Sequence, residues 1–110
     1  MAKNAILPIE MESINSAALT GGFDAINPNG LEHSCFMLRV INDSDTDVTI
    51  SFDGVVDHDY LPAGELLQID VQPNLQRGGS TAGIRQGTVI YVLGAAGTGL
   101  IYVTGYYRSE

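Results

Sequence analysis

The fold is decided by residues 36–71, FMLRVINDSDTDVTISFDGVVDHDYLPAGELLQIDV, in which polar turns separate three short runs of β-forming residues. In the middle run Val48, Ile50 and Phe52 alternate with threonine and serine, which is the two-residue period of a strand with one buried face. Residues 67–71 alternate in the same way. The segment therefore predicts antiparallel strands, each with one wet face, and indicates the all-β class.

Glycine-rich turns divide the rest of the chain into further short strands. Residues 35–41 and 48–52 predict a hairpin across an acidic loop, and residues 88–93 and 100–104 predict a second hairpin across the loop 94–99. Both runs of the second hairpin are apolar on both faces, which predicts a central position. Six or more short strands with such turns fit an all-β fold, a small antiparallel β-sandwich or jelly-roll-like domain.

The length of the chain limits it to one domain over residues 1–110. Residues 1–30 are predicted to be an extended N-terminal arm and edge strand, because Pro8 favours extended chain and the two glycines after Thr20 stop any helix. Residues 31–110 are predicted to be the β-sandwich core. We see no internal repeat and no linker.

Composition limits the class of partner. Apolar residues make up 45% of the chain and charged residues only 16%, so the polar surface consists largely of uncharged groups, which suits either a subunit covered by neighbours or a secreted binding module. Thirteen acidic and five basic residues give a net charge of −8, which repels phosphates and anionic lipids. We therefore expect no nucleic-acid partner and no membrane partner. The sequence also contains no signal-peptide pattern and no run of 18 apolar residues.

The single cysteine, Cys35, lies in an apolar run and cannot form an internal disulfide. The ordinary role of such a cysteine is that of a small buried hydrophobic side chain. We therefore predict a structural Cys35 and folding in a reducing compartment.

An acidic loop has the opening of a calcium-binding loop, with Asp43, Asp45 and Asp47 at alternate positions. The sixth position is Val48, where the motif needs a glycine, and the twelfth is Gly54, where it needs a glutamate. A solvated turn explains the three aspartates without a metal, so no metal and no other cofactor is predicted.

Two other groups of polar residues resemble reactive sites only in composition. Asp53, Asp57, His58 and Asp59 have no specific ligand spacing, and His33 with its neighbouring cysteine lacks the second pair of ligands that a zinc site needs. The glycine-rich stretches 78–83 and 94–99 precede no helix in phosphate-loop register. Since no tuned acid, base or nucleophile is visible, we expect no enzyme activity.

Two features are candidates for interaction rather than reaction. Arg77 and Arg85 lie in the long polar loop 73–87, where they serve either as interface groups or as solvated loop charges. Four tyrosines lie in the last two strands, and tyrosine is enriched at interfaces. We expect Tyr91 and Tyr102 in the core, and at least one exposed ring among the two tyrosines at positions 106 and 107.

Three sequence motifs follow one another in a fixed order: Val40-Ile41-Asn42-Asp43-Ser44-Asp45 with Val48-Thr49-Ile50-Ser51-Phe52-Asp53-Gly54, then Asp57-His58-Asp59-Tyr60-Leu61-Pro62-Ala63-Gly64, then Gly99-Leu100-Ile101-Tyr102-Val103-Thr104-Gly105-Tyr106-Tyr107. This order covers residues 36–107 and resembles the small structural proteins of tailed bacteriophages. In such proteins the motifs are turn signals of a β-sandwich subunit of the virion.

The resemblance implies a non-enzymatic virion structural protein, a capsid decoration or cement subunit that stabilises the head by protein–protein contacts. A ring or collar subunit at the head–tail junction is the alternative within the same class. The implied partners are other copies of the chain, as a homo-oligomer, and the major capsid protein or the neck proteins. The implied location is the virion, after synthesis in the host cytoplasm.

The contacts are expected in the N-terminal arm, the long loop and the C-terminal strand, at Ile6, Leu7, Pro8, Arg77, Arg85, Tyr106 and Tyr107. A carbohydrate-binding β-sandwich module is the alternative from another class. In that hypothesis Tyr106 or Tyr107 stacks on a sugar ring, and Asp57 and Asp59 accept hydrogen bonds from its hydroxyl groups.

Overall fold

The chain folds into two antiparallel β-sheets in the computed structural model, which describes residues 6–70 and 84–108. The strands are β1 Ile6–Pro8, β2 Glu12–Asn15, β3 Asp24–Ala25, β4 Met37–Ser44, β5 Val48–Ser51, β6 Asp59–Leu61, β7 Leu66–Asp70, β8 Tyr91–Leu93 and β9 Gly99–Arg108. A single 3₁₀ turn, Ser16–Ala18, is the only helical element in the described part, so no helix there is long enough to cross a membrane. The predicted all-β, sandwich-like class is confirmed.

The five-stranded sheet is organised around β9, the longest strand. One edge of β9 pairs with β1 near its C-terminal end and with β2 nearer its start, while the other edge pairs with β4. The register runs from Met37 opposite Tyr106 to Ser44 opposite Gly99, and β7 then pairs with the free edge of β4. The order across this sheet is therefore β1 and β2, then β9, β4 and β7.

The second sheet has the order β3-β8-β5-β6, and this order shows that both predicted hairpins are wrong. β4 and β5 lie in different sheets, and so do β8 and β9. The β4–β5 connection and the β8–β9 connection pass from one sheet to the other side by side, and hydrogen bonds join them. Asp45 donates its N–H to the carbonyl of Thr98 at 3.0 Å, and the N–H of Thr98 donates to Asp45 Oδ1 at 2.8 Å. These bonds hold the two connections together where they pass from one sheet to the other.

The core lies between the sheets, where the inward residues of each strand meet. It consists of Ile9, Leu19, Ile26, Leu31, Cys35, Leu38, Val40, Val48, Ile50, Leu61, Ile90, Val92, Ile101 and Val103. Cys35 is 1% exposed, as predicted, and burial raises the pKa of its thiol. The buried residues at positions 9, 19 and 26 show that the segment before residue 30 contributes to this core as well as to the sheet edges.

The turns follow the sequence closely. β7 alternates between exposed and half-buried residues, which confirms its wet face. Asp53-Gly54 forms a tight turn in which Gly54 has a φ of +76°, a conformation that favours glycine. The N–H of Gly30 donates to the carbonyl of Asn27 at 2.8 Å, which closes a turn at Pro28 and Asn29, residue types that favour turns.

Buried side-chain amides tie the sheets to their connections. Asn27, which is 1% exposed, donates from Nδ2 to the carbonyl of Thr88 at 3.1 Å and accepts the N–H of Ile90 on Oδ1 at 2.7 Å. These bonds join the end of β3 to the chain entering β8. Buried amides satisfied in this way stabilise one arrangement of the backbone over its competitors.

Candidate interaction surface

The largest candidate surface is the side of the five-stranded sheet that faces away from the core. Leu38 and Val40 in β4 and Ile101 and Val103 in β9 are buried, so the residues between them lie on the opposite side. We call this side the outer face. Its cross-strand rows are Pro8, Tyr106, Met37 and Asp70; then Thr104, Arg39 and Gln68; then Ser13, Tyr102, Ile41 and Leu66; and last Asn15, Leu100 and Asp43.

The outer face is apolar for a surface in contact with water. Met37, Ile41 and Tyr102 are half-buried by their neighbours, and Leu66 is 50% exposed. A hollow of about 360 Å³ lies beside the third and fourth rows, between Met11, Ile41, Asn42, Asp43, Gly64 and Tyr102. Met11 at its rim is 56% exposed. Apolar side chains grouped in this way around the third row are suited to an interaction surface.

The second row of the outer face is polar throughout, with Thr104, Arg39 and Gln68 side by side. Arg39 in β4 is the cross-strand partner of Thr104 in β9. Arg39 Nε and Thr104 Oγ1 are both shielded from solvent, and neither makes a hydrogen bond to any residue that the structure describes. A shielded polar atom without a partner costs about 1–3 kcal/mol, and the chain itself closes off both atoms, so this cost belongs to the fold of the single chain.

The sequence-predicted contact residues are distributed over the two sides of the five-stranded sheet. Ile6, Leu7 and Pro8 form β1 and are all exposed. Tyr106 lies on the outer face, whereas Tyr107 lies on the core side, where its ring stacks on His33 with centroids 3.7 Å apart. Both tyrosines are half-buried, so the prediction of at least one exposed ring is wrong, although the two do face opposite sides of the sheet.

The structure describes only one of the two arginines of the long loop. Arg77 lies outside the described residues, as does most of the loop 73–87. Arg85 is exposed and lines a groove of about 330 Å³ with Phe52, Ile69, Ile84 and Thr88. This groove lies between an edge of one sheet and a turn of the other.

The two tyrosines predicted in the core are not there, so that prediction is wrong. Tyr102 is half-buried on the outer face, and Tyr91 is half-buried with its ring against Gly54. In both strands the neighbouring residue takes the core position, Ile101 and Val92 respectively. Successive residues of β8 and β9 lie on opposite sides of their sheets. An apolar residue on the side away from the core cannot be distinguished from a core residue by composition.

The carboxylates proposed for sugar recognition lie in the other sheet from the tyrosines. Asp59 begins β6, with Asp57 just before it, in the four-stranded sheet. Tyr106 and Tyr107 lie in β9 of the five-stranded sheet. The structure therefore does not bring the four side chains together in one strand or one sheet.

The aspartates of the calcium-like loop bind backbone and hydroxyl groups at separate places. Asp45 accepts a hydrogen bond from the β8–β9 connection, and Asp47 accepts the N–H of Ala63 at 2.9 Å. A hydrogen bond to Asp47 is the largest of the effects that raise the pKa of the Tyr60 hydroxyl. Within residues 6–70 and 84–108, no group of three or more His, Cys, Asp or Glu side chains is placed to hold a metal ion.

The cluster around Asp53 organises a turn. Asp53 Oδ1 accepts the N–H groups of Val55 at 2.8 Å and Val56 at 3.0 Å, and the hydroxyl of Ser51 donates to it at 3.0 Å. The bond from Val56, followed by that from Val55, holds the pKa of the Asp53 carboxyl below its ordinary value. The ring of His58 accepts the N–H of Phe52 on Nδ1 at 3.0 Å.

Replacing Asp53 with asparagine is expected to make the free energy of unfolding depend less on pH under acidic conditions. Because the pKa of Asp53 is lower in the folded state, the unfolded state binds more protons, and stability is lost as the pH falls through about 3.9 and below. An amide oxygen still accepts both N–H groups but does not titrate. Urea unfolding at a series of pH values measures the slope of the free energy of unfolding against pH. Asp57→Asn in the same exposed segment is the control. An unchanged slope in D53N would contradict this assignment.

The outer face includes residues that sequence reasoning did not select, chiefly Arg39, Thr104 and Ile41. One signal was present, because Met37 and Ile41 are apolar at positions that alternate with the core residues of β4. Their cross-strand neighbours depend on a strand order that the sequence did not predict.

Comparison of the chain with protein families, with curated proteins and with solved structures found no match.

Proposed function

We propose that this chain is a non-enzymatic structural protein of a tailed-bacteriophage virion, a capsid decoration or cement subunit that stabilises the head by protein–protein contacts. The observation that carries the proposal is the outer face, where Met37, Ile41 and Tyr102 are half-buried and Leu66 is 50% exposed on the side of the sheet away from the core. A surface of this composition gains free energy when another protein covers it. The turn motifs that resemble phage structural proteins support the same class.

The exposed strand β1 supplies a second place for contacts. Ile6 is 60% exposed and Leu7 37% exposed, and both pair with residues of β9 that lie beyond the register of β4. Apolar side chains on an exposed edge strand are suited to contact with a neighbouring subunit. In the proposed function they contact the major capsid protein or, in the ring or collar alternative, a neck protein.

The copy number of the chain in purified phage particles tests this proposal. Quantitative mass spectrometry against the major capsid protein measures it, and a phage-encoded replication protein in the same sample gives the background of carried-over protein. Hundreds of copies per particle are expected for a decoration subunit. About five to twelve copies would assign the chain to a ring or collar, as closed cyclic symmetry requires. An amount at the background level would overturn the virion proposal.

A further inference from the structure

We propose that Asn29 is a site of spontaneous deamidation, in which the backbone nitrogen of Gly30 attacks the Asn29 side-chain amide only when the turn 27–30 opens. The products are aspartate and isoaspartate at position 29. The closed turn slows the reaction in the folded chain, and a chain that carries isoaspartate cannot close the turn again. This inference goes beyond the proposed function and does not depend on it.

Asn29 has the sequence and the exposure that this reaction needs. It is the only asparagine in the chain that precedes a glycine. Because glycine has no β-carbon, its nitrogen approaches the preceding side chain without hindrance. The Asn29 side chain is also exposed to water, which the second step of the reaction consumes. Asparagine is one of the thermolabile residues of proteins, and here it has the most reactive neighbour.

The reaction requires no reagent besides water. Gly30 N loses its proton to solvent, and its electron pair forms a bond to Asn29 Cγ. The bond between Cγ and Nδ2 then breaks, and Nδ2 takes up a proton and leaves as ammonia. Water opens the resulting cyclic imide at either carbonyl, which gives aspartate or isoaspartate. Overall, water is consumed, ammonia is released, and nothing is oxidised or reduced.

The folded turn withholds the attacking nitrogen. The N–H of Gly30 donates to the carbonyl of Asn27 at 2.8 Å, and Gly30 is buried. The ring of Pro28 fixes the backbone within the turn. A buried, hydrogen-bonded N–H gives up its proton only when the local structure opens. Attack on Asn29 therefore requires the turn to open first.

Hydrogen bonds on both sides keep this turn closed. On one side, the buried Asn27 amide bonds to the chain entering β8, as described above. On the other side, the N–H of Leu31 donates to the carbonyl of Thr88 at 3.0 Å, and the carbonyl of Leu31 accepts the N–H of Gly87 at 2.9 Å. Because both ends of the turn are bonded to residues 87–90, the turn opens only when some of these bonds break.

Isoaspartate does not fit between these fixed ends. Its peptide bond passes through Cγ, which adds a methylene carbon to the main chain. Gly30 has a φ of +80°, and a β-carbon there would lie 2.6 Å from the carbonyl oxygen of Gly87. The backbone beside the turn therefore has no room for a longer loop. Aspartate leaves the main chain unchanged, and its carboxylate at position 29 is exposed, so this product still folds.

The only aspartate that precedes a glycine, Asp53, lacks these features. Its carboxyl group forms the same imide only when protonated, because the departing oxygen leaves as water. Asp53 Oδ1 accepts two backbone N–H groups, and these bonds hold the pKa of the carboxyl below its ordinary value. The N–H of Gly54 donates to Ser51 Oγ at 2.9 Å. The structure therefore favours Asn29 as the reactive site.

Deamidation of the full chain at neutral pH, in native buffer and in denaturing urea, tests the proposal. Mass spectrometry of the peptide that contains Asn29 measures the conversion, and chromatography separates the aspartate form from the isoaspartate form. We expect the native chain to react at least about tenfold more slowly than the unfolded chain. Equal rates in the two conditions would overturn the inference, and so would an Asn29 that does not react in urea.

Pro28→Ala tests whether the turn is what slows the reaction. Alanine gives the open turn more conformations, so we expect the rate in native buffer to rise about two- to fivefold while the rate in urea stays the same. Pro62→Ala is the matched control, because Pro62 lies in another turn, closed by the N–H of Glu65 at 3.1 Å. Circular dichroism melting confirms that both variants are folded. No rise in P28A, or an equal rise in P62A, would overturn the inference.

Refolding of the urea-reacted chain distinguishes the two products. After dilution from urea, size-exclusion chromatography separates folded chains from chains that remain expanded or aggregate. We expect isoaspartate in the expanded or aggregated fraction and aspartate in the folded fraction. Asn29→Asp is the control for the aspartate product and should refold as the wild type does. Isoaspartate and aspartate in equal proportions in the folded fraction would show that the turn closes around either product, which contradicts the inference.

Discussion

Asn42→Asp is expected to lower the free energy of unfolding by about 3–5 kcal/mol. The side chain of Asn42 is fully buried in β4, and its Nδ2 donates to the carbonyls of Thr46 at 2.8 Å and Leu61 at 3.1 Å. These bonds tie β4 to the crossing connection and to the end of β6. A carboxylate cannot donate, so both carbonyls lose the bond from position 42 and face a buried negative charge, although the Ser44 hydroxyl still donates to the carbonyl of Thr46 at 3.3 Å. The loss is a large part of the roughly 5–15 kcal/mol that holds a domain folded.

Urea unfolding followed by the fluorescence of the five tyrosines measures the change, since the chain has no tryptophan. Asn29→Asp is the matched control, because Asn29 is exposed in a turn and the same chemical change should stay within about 0.5 kcal/mol there. Acidification should reduce the deficit of N42D, since a protonated carboxyl regains one donor. Equal losses in the two variants would show that Asn42 does not have the role assigned to it.

The strand faces could be predicted from the sequence because alternation is a local property. Val48 and Ile50 are buried in β5, and Leu67 and Ile69 form the half-buried side of β7, as their spacing indicates. The turns were predictable for the same reason, since Asp53 and its following glycine determine their own backbone conformation.

The strand partners could not be predicted in this way. Short connections usually join neighbouring strands, and this rule predicts a β8–β9 hairpin. The observed crossing depends on the paired bonds between Asp45 and Thr98, which lie 53 residues apart in the chain. Local patterns carry no information about such a contact.

The candidate surface was only partly predictable for a related reason. Tyr106 was selected from composition, whereas Arg39 in an otherwise apolar run gave no signal on its own. Its significance comes from its register with Thr104 and from the apolar residues in the rows on either side. A cross-strand neighbour is a property of the sheet, so the site emerges only once the strand order is known.

Gly99→Ala is expected to destabilise the protein by about 3 kcal/mol or more, because two separate costs act at this residue. Gly99 has a φ of +117°, which an L-residue with a β-carbon avoids. A β-carbon there would also lie 2.7 Å from the Cα of Ser44 and in contact with the carbonyl oxygen of Asp43. Both neighbours are backbone atoms of β4, so relief requires β4 and β9 to move apart at the crossing.

Two other glycines separate these costs. Gly21 has a φ of +89° with no atom within 4 Å of an added β-carbon, so Gly21→Ala measures the backbone term alone, about 1–2 kcal/mol. Gly22 is outside the positive-φ region, and its nearest neighbour would be Thr20 Oγ1 at 3.8 Å, so Gly22→Ala should be close to neutral. Thermal unfolding of the three variants should therefore give a graded series. If G99A loses no more stability than G21A, then the close approach of β9 to the end of β4 contributes nothing to the cost of the substitution.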